Sequence, residues 1–217
     1  MRFLMRSKAD WKKTIKYQAE KMGINTGHCD IDKTALIEEE TIIGRGSIIE
    51  PYVVVKKGVI VGENTLVSAG SILGAHGQAI YKTQKNEVLS YAKIHFGTLI
   101  IGNDCEIGAN STLSRGMLGR SYIGHKTILG NMVQIGHGCE IREKVWMAPR
   151  VTVCGHVFID SDVSIGAGAT IRDNVDIGRS ASIGMGSVVV SNVDAGKSVL
   201  GIPAKEKRMS FQSGPAR

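Results

Sequence analysis

From residue 31 onward an aliphatic side chain returns at every sixth position, and that period leaves few folds open. Ile31, Ile37, Ile43, Ile49, Val55, Val61, Val67 and Leu73 form one unbroken series. A second runs from Ile123 through Leu129, Ile135, Ile141, Met147, Val153, Ile159, Ile165, Ile171, Ile177 and Ile183 to Val189. Six matches neither the turn of an α-helix nor the two-residue alternation of an ordinary strand. Three hexapeptides, each a short strand and a turn, close one triangular coil, and stacked coils make a parallel β-helix. Glycine follows many of the repeat aliphatics, as in Ile43-Gly44, Ile123-Gly124, Ile165-Gly166 and Ile183-Gly184. The predicted class is therefore all-β, a hexapeptide-repeat solenoid.

The breaks in the period organise the rest. The repeat fails after Leu73 and resumes at Ile101, Ile107 and Leu113, so 74–100 is expected to leave the stack as one extended excursion, an ordered arm packing on a neighbouring subunit. Between Leu113 and Ile123 the step is ten rather than six, which places four extra residues near Met117. Residues 8–22 read as a short amphipathic helix with Trp11, Ile15, Ala19 and Met22 on one face and a capping box at Ser7 and Asp10. The expected division is a helical cap over the open end of the solenoid at 1–30, the β-helix at 31–200 and a polar tail at 201–217.

Composition narrows the function classes. Aromatics make up 5% of the 217 residues and glycine numbers 27, which suits a thin interior of stacked aliphatics. No stretch reaches the roughly 20 apolar residues of a membrane span. Met1 to Lys13 holds scattered charges rather than a leader's apolar run, so a cytoplasmic location is expected. The net charge of +7 sits at the ends: residues 1–21 carry +5 and 204–217 carry +3, leaving the body at −1. Without an aromatic-studded basic stripe this argues against nucleic acid and suits a phosphate-bearing ligand or an acidic carrier protein. Cys29, Cys105, Cys139 and Cys154 lack any CxxC spacing and are expected as reduced thiols.

The unbroken register places side chains. His137 and His156 are one coil plus one residue apart, hence neighbours on one edge of the prism, whereas His125 falls on a different edge. An imidazole at a turn, flanked by Gly136 and Gly138, is a candidate general base open to a ligand. A zinc site shared between subunits is the competing use of such histidines, but the spacing offers no close ligand pair and no metal is expected. Cys139 and Cys154 lack an activating partner, so no covalent intermediate is called for.

Residues 98–156 resemble the UDP-3-O-acylglucosamine N-acyltransferases of lipid A synthesis. The likeness is carried by the run from Ile107 to Gly116, by Asn131-Met132-Val133-Gln134-Ile135-Gly136-His137, and by an excursion opening Gly74-Ala75-His76-Gly77. Residues 131–205 are similar to bacterial sugar and nucleotide-sugar acetyltransferases, which also close on glycine-x-proline-alanine-lysine, here Gly201 to Lys205. The resemblance implies a left-handed coil, a homotrimer and His137 as catalytic base. It implies acetyl-CoA in a groove between subunits, touching Trp146, Ala167 and Met185. In that family an acidic residue commonly follows the base; Gly138 stands there, so Glu140 or a residue across an interface is expected to orient the imidazole.

Together these readings predict an acetyl-CoA-dependent transfer of an acetyl or short acyl group to the amine of a free or nucleotide-linked sugar in surface-polysaccharide synthesis. Gly155 is expected to stabilise the oxyanion and, with His156, to contact the coenzyme. Asn131 and Gln134 are expected to hold the sugar, and Lys205, Lys207 and Arg208 the coenzyme phosphates. A sugar O-acetyltransferase and a non-catalytic β-helix scaffold are the alternatives.

Overall fold

The computed structural model describes residues 8–77, 80–82, 88–90 and 95–206. The repeat folds as expected into a left-handed parallel β-helix. Short strands, most of two residues, stack into three flat parallel sheets. The first face includes Asp30–Ile31, Ile128–Leu129 and Trp146–Met147; the second includes Leu36–Ile37, Gln134–Ile135 and Thr152–Val153; the third includes Ile42–Ile43, Glu140–Ile141 and Phe158–Ile159. The second residue of each pair points inward. From Ile49 to Val189 every such aliphatic in the two series is 2% exposed or less, in one continuous core. At the open first coil Ile31 remains 41% exposed.

The glycine that follows many of the inward aliphatics has a direct cause. Consecutive coils touch at the corners, where a Cβ on Gly44 would stand 2.5 Å from the Gly62 carbonyl carbon, and one on Gly136 2.6 Å from that of Cys154. Buried hydroxyls and thiols tie the corners together. Ser47 Oγ donates to Gly62 O at 2.7 Å and accepts from Thr65 N–H at 3.0 Å, and Cys139 Sγ donates to Cys154 O at 3.0 Å. Corner groups that would otherwise be stranded in a dry interior are thereby satisfied.

Register measures each break. Gln134 pairs with Thr152, eighteen residues on; Thr112 pairs with Gln134, twenty-two on; Ile72 pairs with Thr112, forty on. Both insertions fall between a second-face and a third-face strand, so both leave from the same edge of the prism. The excursion is shorter than 74–100, because Ile72–Ala75 and Thr98–Ile101 are rungs of the stack. It contains an antiparallel hairpin of Ile80–Lys82 and Val88–Ser90.

The helix Lys8–Lys21 does not cap the open end. It lies along the third face, where Ile15 and Ala19 bury against the outward-pointing Ile60 and Ile100, with Ile42 and Tyr122 alongside. The reason is a second apolar row: the outward positions of that face are aliphatic in the early coils and would otherwise be wet. Trp11's surroundings and Ser7 lie outside what the structure describes. At the other end 201–206 is no loose tail. Lys205–Glu206 folds back antiparallel on Ser198–Leu200 and adds the last strand of the first face. Residues 207–217, including Lys207 and Arg208, lie outside the described residues.

Candidate functional site

The edge between the second and third faces gathers the chemistry. His137 follows Gln134–Ile135 at the turn into Glu140–Ile141, and His156 follows Thr152–Val153 one coil later. Their rings meet edge to face with centroids 4.7 Å apart and planes at 89°. That expected adjacency is present. On the other side of His137 stands His95, from the returning end of the excursion, with centroids 5.2 Å apart and planes at 76°; His76, from the outgoing end, lies 6.1 Å from His95. Four imidazoles thus run along one edge.

His137 is half-buried and closely fitted. A Cβ on Gly77 would come within 2.6 Å of its Cδ2, and one on Gly155 within 3.0 Å of its Nε2. The ring opens on a crevice of about 400 Å³ walled by Gly77, Thr112, Gln134, Thr152, Cys154 and Gly155. His156, in a left-handed backbone conformation at φ 58°, instead borders a second hollow of about 310 Å³ formed with Met117, Leu118 and Arg120. At the mouth, partial burial pushes the His76 imidazole below its ordinary pKa, the charges of Arg115, His95 and Lys56 push the same way, and Glu38 opposes them. Arg115 is itself buried, its Nε donating to Gly74 O at 2.8 Å.

The other expected residues divide. Gln134 and Gly155 line the crevice with His137. Asn131 does not: it sits on the edge between the first and second faces, and its Oδ1 accepts the Ala109 N–H at 2.9 Å as a bracket between coils. His125 does the same work on the third edge, its Nδ1 accepting the Asn103 N–H at 2.9 Å. Ala167 and Met185 stack on the edge between the first and second faces, and Trp146 lies on the first face; Met185 is 80% exposed and Trp146 48%. Within one chain the width of the second face separates this group from His137. Lys205 lies further off, on the final strand, beside an ion pair of Lys197 with Glu206 at 2.8 Å. Glu140 does not orient His137; its carboxylate is held on the third face by Arg142 at 2.8 Å.

Cys139 and Cys154 offer no nucleophile. Burial pushes the Cys139 thiol up to about 12 and raises that of Cys154 as well. Sequence reasoning assigned no role to His76, His95 or Gly77. The signal was available: Leu73, Leu113 and Ile135 occupy one column once the breaks are counted, which puts the excursion and His137 on a common edge.

Comparison with known proteins agrees with this architecture. The family description "Bacterial transferase hexapeptide (six repeats)" matches residues 40–75, and "Hexapeptide repeat of succinyl-transferase" matches 98–117 and 156–191. The chain is 45% identical over 67 residues to a UDP-3-O-acylglucosamine N-acyltransferase of Dechloromonas aromatica, covering 30% of this chain and 19% of that one. It is 35% identical over 75 residues to the Helicobacter hepaticus protein of the same name, covering 35% and 23%. It therefore spans about a fifth to a quarter of the length of such relatives. Among solved structures, the UDP-N-acetylglucosamine O-acyltransferase of Moraxella catarrhalis superposes with a TM-score of 0.56 at 26% identity, over 84% of this chain and 73% of that one. The Francisella novicida UDP-N-acetylglucosamine acyltransferase shares the fold at a TM-score of 0.66 and 22% identity, over 84% and 71%. The chain thus carries hexapeptide repeats and is similar, over part of its length, to hexapeptide-repeat acyltransferases.

Proposed function

We propose that this protein transfers an acyl group from a pantetheine thioester to the amine of a sugar, free or nucleotide-linked, with His137 as general base. The observation that carries the reading is His137 itself, a half-buried imidazole held between Gly77 and Gly155 at a polar crevice. The amine attacks the thioester carbonyl and its proton passes to the imidazole. The C–S bond then breaks, and the departing thiolate takes that proton, giving amide and free thiol. General-base help of this kind is worth roughly 10²–10⁴-fold. The Gly155 amide is the candidate donor to the carbonyl oxygen as it gains charge. Acetyl-CoA is the proposed donor. Within one chain Trp146, Ala167 and Met185 lie across the second face from His137, so the reading needs a second copy to bring them to its crevice, in the proposed homotrimer, with the coenzyme lying between chains and Lys205 toward its phosphates.

The test is thiol release from acetyl-CoA, and from acyl carrier protein thioesters, across a panel of UDP-linked amino and hydroxy sugars. Turnover by the wild type that vanishes in a folded His137→Ala protein is the expected result. Turnover retained by that variant overturns the reading. Turnover by no pair would leave the β-helix as a scaffold.

A further inference from the structure

The edge that carries His137 also carries both breaks in the repeat, and the two breaks are bonded to each other. The excursion comes back through His95-Phe96-Gly97. Phe96 N–H donates to Met117 O at 2.7 Å, Gly97 N–H to Gly116 O at 3.0 Å, and Thr98 N–H to Gly119 O at 3.0 Å, all three acceptors lying in the second break. Gly97 is packed so closely that a Cβ there would overlap the carbonyl oxygens of Gly116 and Gly119. This clasp delivers one side chain to the site: His95, 2% exposed, whose ring meets that of His137.

An imidazole turns about a broad, roughly two-fold terminal torsion, so a base at a turn needs neighbours to fix its plane. Here Gly138 follows it where a carboxylate would otherwise serve, and Glu140 is engaged with Arg142. Among the described residues, Gly77, Gly155 and the edge-on rings of His95 and His156 enclose His137. Of the two rings, His156 is exposed on a turn and His95 is buried and clasped.

The geometry points to His95 as a positioning residue for the base: its buried ring holds the plane of His137 in the orientation that receives the acceptor's proton. The inference rests on the reading of His137 as general base. The role assigned to His95 is carried by the contact of its ring with that of His137, so a flat ring of similar size is expected to serve. A base misplaced by about an ångström loses on the order of 10²-fold in rate.

The experiment compares His95→Ala and His95→Phe in the thiol-release assay, with histidine-labelled NMR on the same proteins. Expected is a His95→Ala kcat lower by roughly 10²-fold with KM little changed, and restoration of most of it by His95→Phe. In the NMR arm, which needs no substrate, the His137 ring signals stay single and well dispersed in the wild type and His95→Phe, and broaden or move toward the free-histidine position in His95→Ala. Equal loss in both variants, or a His95→Ala protein with wild-type kcat and an unmoved His137 signal, overturns the inference. A wild type with no turnover sinks the proposed activity instead, and the NMR arm still decides whether His95 holds the ring.

Discussion

The main-chain N–H of His156 donates to the carbonyl oxygen of His137 at 2.8 Å. The two residues are thus consecutive rungs of one hydrogen-bonded ladder, and their side chains leave the same edge because their backbones are tied. This relationship makes the arrangement depend on register and little on loop conformation. Its consequences can be tested at several distances from the site.

Gly77→Ala addresses the closest packing. A methyl group there meets His137 at Cδ2, Cβ and Cγ, all within 2.9 Å. The expected outcome is a kcat lower by roughly 10²-fold with an unfolding midpoint close to wild type, checked by thiol release and urea denaturation.

Ile165→Ala addresses the core. Ile165 is fully buried in the continuous column, and such truncations cost about 2–5 kcal/mol. Ile15→Ala, in the separate cluster of the helix on the third face, should spare the solenoid and loosen the helix alone. Hydrogen exchange would show faster exchange in 8–21 for Ile15→Ala and throughout the stack for Ile165→Ala.

Thiol chemistry follows from burial. Cys139 is raised to about 12 and Cys105 to about 11, so both stay protonated far above neutral pH and neither forms a nucleophilic thiolate. Iodoacetamide at pH 8 should leave both unlabelled in the native protein and label them after denaturation, as read by mass spectrometry.

Glu63 governs part of the acid response. The Asn25 main-chain N–H reaches its carboxylate at 3.2 Å, the Asn25 amide at 3.0 Å, and Arg45 pairs with it at 3.2 Å. The Asn25 N–H contributes most to holding its pKa below the usual carboxylate range, with burial opposing. A depressed folded pKa gives stability that is complete above the unfolded value of about 4.3 and is lost as pH falls through the folded one. Glu63→Gln should therefore lower the urea midpoint at pH 6 and flatten its decline as the pH falls below the unfolded value of about 4.3.

How much of this was legible in the sequence depends on which interaction fixes each part. The inward column, the glycine corners and the pairing of His137 with His156 follow from the six-residue period, because the ladder converts sequence distance into spatial distance. The helix was misplaced because a period describes inward residues, whereas the docking site is written in the outward ones, Ile42, Ile60 and Ile100. That the Asn131 side chain bridges to Ala109 was not legible, because it depends on the distance between stacked coils. For His95 the column of Leu73, Leu113 and Ile135 gives the edge, but the excursion has no period, and its hydrogen bonds to 116–119 fix which side chain lands against His137.

The uninterrupted pairing from Ile123 to Val189 carries a consequence for engineering. Copying a stretch such as 159–176 in tandem would lengthen the rod by one storey of about 4.8 Å beyond the histidine edge. The helix on the early coils and the clasp between 95–98 and 116–119 would keep their places. This scaffold can be extended at that end like a ladder, with the histidine edge unaltered below and Met185 and Lys205 carried one storey further from it.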